Sequence, residues 1–111
     1  MAFFNKPEKS PSPPRVRRIV NDVIYDSAKA ECVASHAKRR SAGSWRYFSQ
    51  EALYRSAQGS WFFVLGQRLH VDQQPDVYIQ PAAPEEVYRW LCEFNEIELV
   101  ERYFPDKVKY A

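Results

Sequence analysis

Residues 51–66 read EALYRSAQGSWFFVLG, the pattern from which the rest of the fold is predicted. A polar segment containing Gly59 separates Leu53 and Tyr54 from the apolar run 61–65, WFFVL. Because glycine readily adopts the positive φ that a tight turn needs, the pattern predicts two strands joined near Gly59. The nearly continuous run 61–65 is typical of a strand buried on both faces, and we expect it at the centre of a sheet.

The residues before this stretch predict a further hairpin. In residues 15–26, RVRRIVNDVIYD, β-branched residues lie on both sides of Asn21 and Asp22. An Asn-Asp pair between two such runs is typical of a tight turn between short antiparallel strands. We therefore expect two strands that meet at this pair.

Residues 28–37 are predicted to form a helix. Four small apolar side chains recur at helical spacing and share one face: Ala30, Val33, Ala34 and Ala37. Asp26 or Ser27 is a suitable N-cap, and the basic run 38–40, KRR, follows in the last turn, where cations suit the negative end of the helix dipole. The strand-forming residues 45–56 come next, as one strand with an interruption or as two.

The remaining chain predicts a short strand at residues 77–79 and two helices. Pro84 suits the first turn of a helix that continues through apolar residues at helical spacing: Val87, Trp90, Leu91 and Phe94. Asn95 ends this helix, and residues 97–104 form the second one, which Pro105 stops. The order β-β-α-β-β-β-α-α predicts an α+β fold, in which helices cover one face of a small, mostly antiparallel sheet.

A chain of 111 residues is expected to form a single domain. Residues 1–14, MAFFNKPEKSPSPP, are rich in Pro, Ser and Lys and are predicted to be a flexible arm. The packed domain is expected over residues 15–105, with a basic tail at residues 106–111.

The charge is unevenly distributed, although the formal net charge is only +2. Basic residues are concentrated in the first part of the chain and at residues 38–40, whereas glutamates are concentrated in the two final helices, which indicates two faces with different partners. No hydrophobic signal segment follows Met1 and no apolar run approaches ~20 residues, so we expect a cytoplasmic protein without a membrane anchor. Cys32 and Cys92 are expected to be reduced and buried.

The sequence contains no constellation that indicates catalysis. Cys32 and His36 share a face of the predicted helix, but zinc needs two more ligands, and only Cys92 and His70 are available. The sequence also lacks a nucleophile elbow and the glycine patterns that bind phosphates or dinucleotides. We therefore predict a protein that is not an enzyme and that uses no metal or cofactor, with a small enzyme as a minor alternative.

Basic and aromatic residues are interleaved in the middle of the chain, and five of them are candidates for partner binding: Arg39, Arg40, Arg46, Tyr54 and Arg55. Arginine neutralises phosphates while aromatic rings stack on bases, so these residues suit a nucleic acid. Two other interpretations stay open. In the first, the basic run 38–40 is a solvated helix end that precedes a core strand. In the second, the glutamates of the final helices imitate phosphate and bind a basic groove of another protein.

Three stretches resemble the motifs of a group of small uncharacterised proteins of phages, plasmids and other mobile elements. They are residues 25–30, YDSAKA; residues 53–63, LYRSAQGSWFF; and residues 79–81, IQP, followed by Glu85 and Glu86. The group shows Y-D-T-x-x-A, then L-Y-x-T-x-x-G-x-F-F, then I-x-P before an acidic helix start. The resemblance implies a structural family without an established reaction.

These observations predict a non-enzymatic accessory protein of a phage or mobile element that binds a host protein or complex, for example a defence complex such as a CRISPR effector. The alternative is a nucleic-acid-binding regulator that uses the basic arm and residues 38–40. Neither function involves a membrane. The sequence leaves the oligomeric state open, including a weak homodimer.

Overall fold

The computed structural model describes residues 15–42, 45–68 and 76–111, and the predicted arm at residues 1–14 lies outside them. The described part is α+β, as predicted, and contains a two-stranded sheet, a four-stranded sheet and two helices. Its elements are β1 (Arg17–Val20), β2 (Val23–Asp26), a 3-10 turn (Ser27–Lys29), β3 (Glu31–Ala42), β4 (Trp45–Arg55), β5 (Trp61–Arg68), β6 (Asp76–Ala82), α1 (Pro84–Glu93) and α2 (Ile97–Tyr103). The chain divides into two compact units, one ending at Pro81 and the other covering Ala82–Ala111.

The hairpin predicted at Asn21 and Asp22 is confirmed. Both residues have positive φ, 51° and 66°, as a two-residue hairpin turn matched to the strand twist requires. Strands β1 and β2 pair antiparallel, with Ile19 opposite Ile24. Beyond the strands, the Val16 N–H donates to the buried Ser27 hydroxyl oxygen at 2.8 Å, and this bond holds the base of the hairpin.

The helix predicted over residues 28–37 is wrong, because this segment belongs to strand β3. Only a short 3-10 turn forms at its start, where the Asp26 carboxylate accepts a hydrogen bond from the Ala28 N–H at 2.9 Å. The pairing register with β4 shifts between Cys32 and Ala34, which is a β-bulge. Because a bulge interrupts the alternation of side chains along a strand, the small apolar residues of β3 do not show the spacing of a strand and happen to match that of a helix. Pairing with β4 outweighs the weak helix propensity of the segment.

Residues 45–55 form the single strand β4. The predicted turn after it is confirmed: Gly59 has a φ of 88°, and the Ser56 N–H donates to the Ser60 carbonyl at 2.8 Å. The four-stranded sheet has the order β3-β4-β5-β6, so β5 is an interior strand, as predicted.

The core of the first unit is built on the β4–β5 hairpin. One face of these two strands carries Ala52, Tyr54, Phe62 and Val64, which form a buried cluster with Val16. The other face carries Leu53 and Phe63, which are also buried. Because successive strand residues point to opposite faces, burial of both faces explains why run 61–65 is almost wholly apolar.

The second unit begins with helix α1, which starts at Pro84 as predicted. The Glu86 carboxylate accepts a hydrogen bond from the Ala83 N–H at 3.2 Å; this is half of a capping box, because alanine has no side-chain oxygen for the other half. Asn95, with a φ of 54°, follows the helix, as is common at helix ends, and α2 begins at Ile97. Three side chains of α1 are buried: Val87, Trp90 and Leu91.

Candidate functional site

Three of the four arginine candidates, Arg39, Arg40 and Arg46, lie at one end of the four-stranded sheet. In the antiparallel register, Arg39 lies opposite Phe48, Arg40 opposite Tyr47 and Ser41 opposite Arg46. Because residues 38–40 lie in a strand and not in the last turn of a helix, they do not complement a helix dipole. They pair with residues 47–49 of β4, which include Tyr47 and Phe48.

Tyr54 lies in the core and not on a binding surface. Its ring stacks on Phe62 with the ring centres 5.4 Å apart, and the side chain is 6% exposed. Burial, the nearby Cys32 and the hydrogen bond between the two side chains raise the pKa of Tyr54 from 10.0 to about 12. The phenol therefore stays neutral at physiological pH.

Arg55 is half-buried at the turn end of β4. Its guanidinium carbon lies 5.0 Å from the centre of the Trp61 ring, and the two residues are directly opposite in the register. A cation over an indole face is a stabilising contact within the sheet. Eight residues of extended strand separate Arg46 from Tyr54, a length of about 27 Å, so the five candidates do not form one site.

Cys32 and His36 lie on strand β3 and not on a helix, on either side of the bulge. In residues 15–42, 45–68 and 76–111, no three His, Cys, Asp or Glu side chains are grouped as metal ligands would be. Partial desolvation raises the pKa of the Cys32 thiol, although the residue as a whole is exposed, and the hydrogen bond with Tyr54 opposes this rise only in part. A raised thiol pKa disfavours the thiolate, which is the nucleophilic form.

The expected burial of the two cysteines is wrong, because both are free and exposed. Cys92 lies at a cavity of about 340 Å³ in the second unit, which is lined by α1, α2 and the chain end. There, a hydrogen bond with Cys92 raises the pKa of Tyr88, and the Tyr110 hydroxyl donates to the Glu101 carboxylate, which raises the pKa of Tyr110.

An exposed apolar surface on the β1–β2 hairpin is the feature that the sequence analysis missed. Ile19 is 71% exposed, Ile24 57% and Val23 48%. We call the cross-strand pair Ile19 and Ile24 the hairpin surface; Val23 lies on the opposite face, with Tyr25. The signal in the sequence is that β-branched residues occupy both faces of a four-residue strand pair, although such a short hairpin can turn only one face to a core.

The hairpin has one face in the core and one in solvent. Tyr25 packs edge-on against Phe62, with ring centres 5.2 Å apart, and so attaches one face to the core. Ile19 and Ile24 are on the other face, next to an ion pair in which Arg17 Nε lies 3.5 Å from an Asp26 carboxylate oxygen. The solvent face of the hairpin therefore carries two apolar side chains, Ile19 and Ile24, next to the charged side chains of Arg17 and Asp26.

The described helices include none that is long and apolar enough to cross a membrane. Comparison of the chain with protein-family models, with curated proteins and with solved structures finds no match.

Proposed function

We propose that the chain is a non-enzymatic accessory protein that binds another protein through the hairpin surface. The observation that carries the proposal is the pair Ile19–Ile24, directly opposite each other and both largely exposed. Single exposed apolar residues are common on proteins, but adjacent ones form a patch that water solvates poorly. Apolar centres with polar rims are the usual anatomy of protein interfaces.

The charges around the hairpin surface define the partner further. Arg15 and Arg17 are exposed at the end of the hairpin away from its turn, and Arg17 forms the ion pair with Asp26. A complementary surface would have an apolar centre and carboxylates towards that end. Charge complementarity of this kind raises association rates and fixes the orientation of binding.

The biological setting of this proposal comes from the resemblance to proteins of phages and other mobile elements. That setting makes the partner a protein or complex of the bacterial host, for example a CRISPR effector or another defence complex. Binding in the host cytoplasm is part of the same proposal.

The test compares affinity capture from bacterial host lysate by three forms of the chain. They are the wild type, the double variant Ile19→Ser with Ile24→Ser, and the control Ile97→Ser, which changes an isoleucine of α2 that is 66% exposed. We expect a protein that the wild type and the control retain and the double variant loses. With that protein purified, calorimetry should show a loss of about 30-fold or more, as for truncation of interface hot spots.

Two outcomes would contradict the proposal. One is that no protein is retained specifically by the wild type; the other is that the double variant retains the same protein with unchanged affinity. Thermal melts show that each variant is folded, and because Ile19 and Ile24 are exposed, we expect the melting temperatures to be close to that of the wild type.

A further inference from the structure

The hydrogen bonds at the base of the β1–β2 hairpin show which backbone groups point away from its ladder. The Ser27 N–H donates to the Val16 carbonyl at 3.0 Å, so these two residues form a hydrogen-bonded pair. Hydrogen-bonded and non-hydrogen-bonded pairs alternate along an antiparallel ladder. The pair Ile19–Ile24 lies three steps further along the register and is therefore a non-hydrogen-bonded pair.

The N–H and C=O groups of Ile24 consequently point away from β1, towards the open edge of β2. The Asp26 N–H points the same way, because Asp26 lies two residues further along the strand. In the described part of the chain β2 pairs only with β1, so no further strand of that part accepts or donates to these groups. A row of such edge groups is a template for pairing with another extended chain.

A groove of about 280 Å³ runs along this open edge. All four residues of β2 line it, although successive strand residues point to opposite faces, so the groove follows the edge of the strand and not one face. The opposite wall consists of polar residues of the β4–β5 turn: Ser56, Gln58 and Ser60. Phe62, which is fully buried, gives the groove an apolar floor.

We propose that this groove binds an extended peptide segment of the partner protein, which adds a strand to the open edge of β2. The proposal rests on the proposed function and deepens it, because Ile24 contributes its side chain to the hairpin surface and its backbone to the groove. In strand addition, main-chain hydrogen bonds give affinity and alternate side chains give specificity.

The spacing of the open groups favours a peptide over a small molecule. The N–H groups of Ile24 and Asp26 are two residues apart, about 6.6 Å, and an extended chain repeats its carbonyl groups at the same interval. The groove is also smaller than the range of about 300–1,000 Å³ that is typical of small-molecule pockets. A second copy of the hairpin fits less well, because it brings two strands and the β4–β5 turn lines the opposite side of the groove.

The two faces of β2 define the peptide sequence that the groove selects. The peptide residue that pairs with Ile24 places its side chain beside the Ile19–Ile24 pair, where an apolar β-branched residue extends the hairpin surface. The neighbours of that residue point to the face of Tyr25, which packs against Phe62 near the polar turn. Threonine suits those positions, because it is β-branched and has a hydroxyl that both donates and accepts.

A designed peptide tests the proposal on the wild type. It is a heptapeptide with blocked ends, in which three threonines alternate with two isoleucines between terminal glutamates. When it is titrated into isotope-labelled protein, we expect the amide resonances of residues 23–27 and 56–62 to shift and hydrogen exchange to slow at Ile24 and Asp26. A control peptide with N-methyl groups on both isoleucines keeps the side chains but loses the N–H groups that pair with β2, so it should bind at least about tenfold more weakly.

Matched variants of the protein separate the backbone from the side chain. Ile24→Ala and Ile24→Pro both remove the isoleucine side chain, but only Ile24→Pro also removes an N–H from the open edge, so it should bind the peptide at least about tenfold more weakly than Ile24→Ala. Ile19→Ala and Ile19→Pro make the same changes on β1, away from the groove, and these two should bind the peptide equally. Proline is compatible with both positions, because neither N–H belongs to the β1–β2 ladder.

Several results would overturn the proposal. They are absence of binding at millimolar peptide, equal binding of the N-methylated peptide, and equal binding by Ile24→Ala and Ile24→Pro. Sedimentation of the protein without peptide tests the other occupant. A dimer that Ile24→Ala retains and Ile24→Pro loses would assign the edge to a second copy of the chain and contradict the proposal.

The lysate capture distinguishes failure of this proposal from failure of the proposed function. If Ile24→Ala and Ile24→Pro retain the same host protein equally, the hairpin surface is the binding site and strand addition is wrong. If the peptide binds as expected and no host protein is retained, the groove is a peptide site and the host-protein function is wrong.

Discussion

The β1–β2 and β4–β5 hairpins have similar local chemistry but differ in what they bury. Both have apolar strand residues on each side of a tight turn with positive φ, at Asn21 and Asp22 in one and at Gly59 in the other. In β4–β5 both faces are buried, whereas in β1–β2 the face with Ile19 and Ile24 is open to solvent. An apolar strand therefore builds the core in one place and lies open to solvent in another.

The neighbours of each hairpin explain this difference. Strands β4 and β5 have strands on both sides, β3 and β6, whereas in the described part of the chain β1 and β2 pair only with each other. A two-stranded ribbon is marginal alone, so the β1–β2 hairpin depends on Tyr25 against Phe62 and on the Ser27–Val16 hydrogen bonds at its base. Substitutions on the open face, at Ile19 and Ile24, should therefore change the free energy of unfolding only a little.

The largest effect is expected from Phe62→Ala. Phe62 is fully buried and contacts both Tyr54 and Tyr25, so its truncation should lower the free energy of unfolding by about 3–5 kcal/mol. Ile24→Ala, at an exposed position of the other hairpin, should cost less than about 1 kcal/mol. Urea unfolding measures both, and comparable losses would contradict the contrast between the hairpins. Should Phe62→Ala not fold, Phe62→Leu gives a smaller loss in the same direction.

An intermediate effect is expected from Ser27→Ala. The Ser27 oxygen accepts the buried Val16 N–H, and its loss leaves that donor unsatisfied, so we expect a cost of about 1–3 kcal/mol. Ser56 is the matched control, because its oxygen accepts the Ser60 N–H at 3.0 Å in an exposed turn, where water replaces the bond. Ser56→Ala should cost about 0.5 kcal/mol or less. Equal losses in denaturant titrations would show that the base of the β1–β2 hairpin is not buried.

The smallest effect on stability at ordinary pH is expected from Tyr54, because its titration changes the free energy of unfolding only at high pH. Its pKa is about 12 in the folded chain against 10.0 ordinarily, so the folded state keeps a proton that the unfolded state has lost between these values. The stabilisation is fully present below pH 10 and is lost as the pH rises towards 12. Tyr54→Phe should therefore weaken the decline of stability over this interval. Ultraviolet absorbance of tyrosinate measures the titration directly, and a Tyr54 that titrates near 10 would contradict its burial.

Much of the fold was predictable because local rules operate there. Asn21-Asp22 and Gly59 specify turns through their backbone freedom, the run 61–65 specifies a buried strand, and Pro84 specifies a helix start. Strand β3 was not predictable, since the bulge near Val33 removes its alternation and leaves alanines at a helical interval. The error shows that weak periodicity of small residues does not distinguish a helix from an irregular edge strand.

The candidate site was predictable only in part. The arginines near residue 40 were selected from their interleaving with aromatic residues, and the register does bring Arg39, Arg40 and Arg46 to one end of the sheet. Tyr54 and Arg55 were selected by the same reasoning, but they belong to the core and to the turn end. Proximity in sequence is a poor guide along a strand, because each residue adds about 3.3 Å of length.

The turns, the central strand, the two helices and the uneven charge follow from the sequence, because each depends on a residue and its near neighbours. Strand pairing settles the rest: residues 31–42 form a strand, Arg39 and Arg68 both pair with Phe48, and Ile19 and Ile24 face water. These features depend on which strands pair and in what register. Pairing is a property of segments far apart in the chain, and no local pattern encodes it.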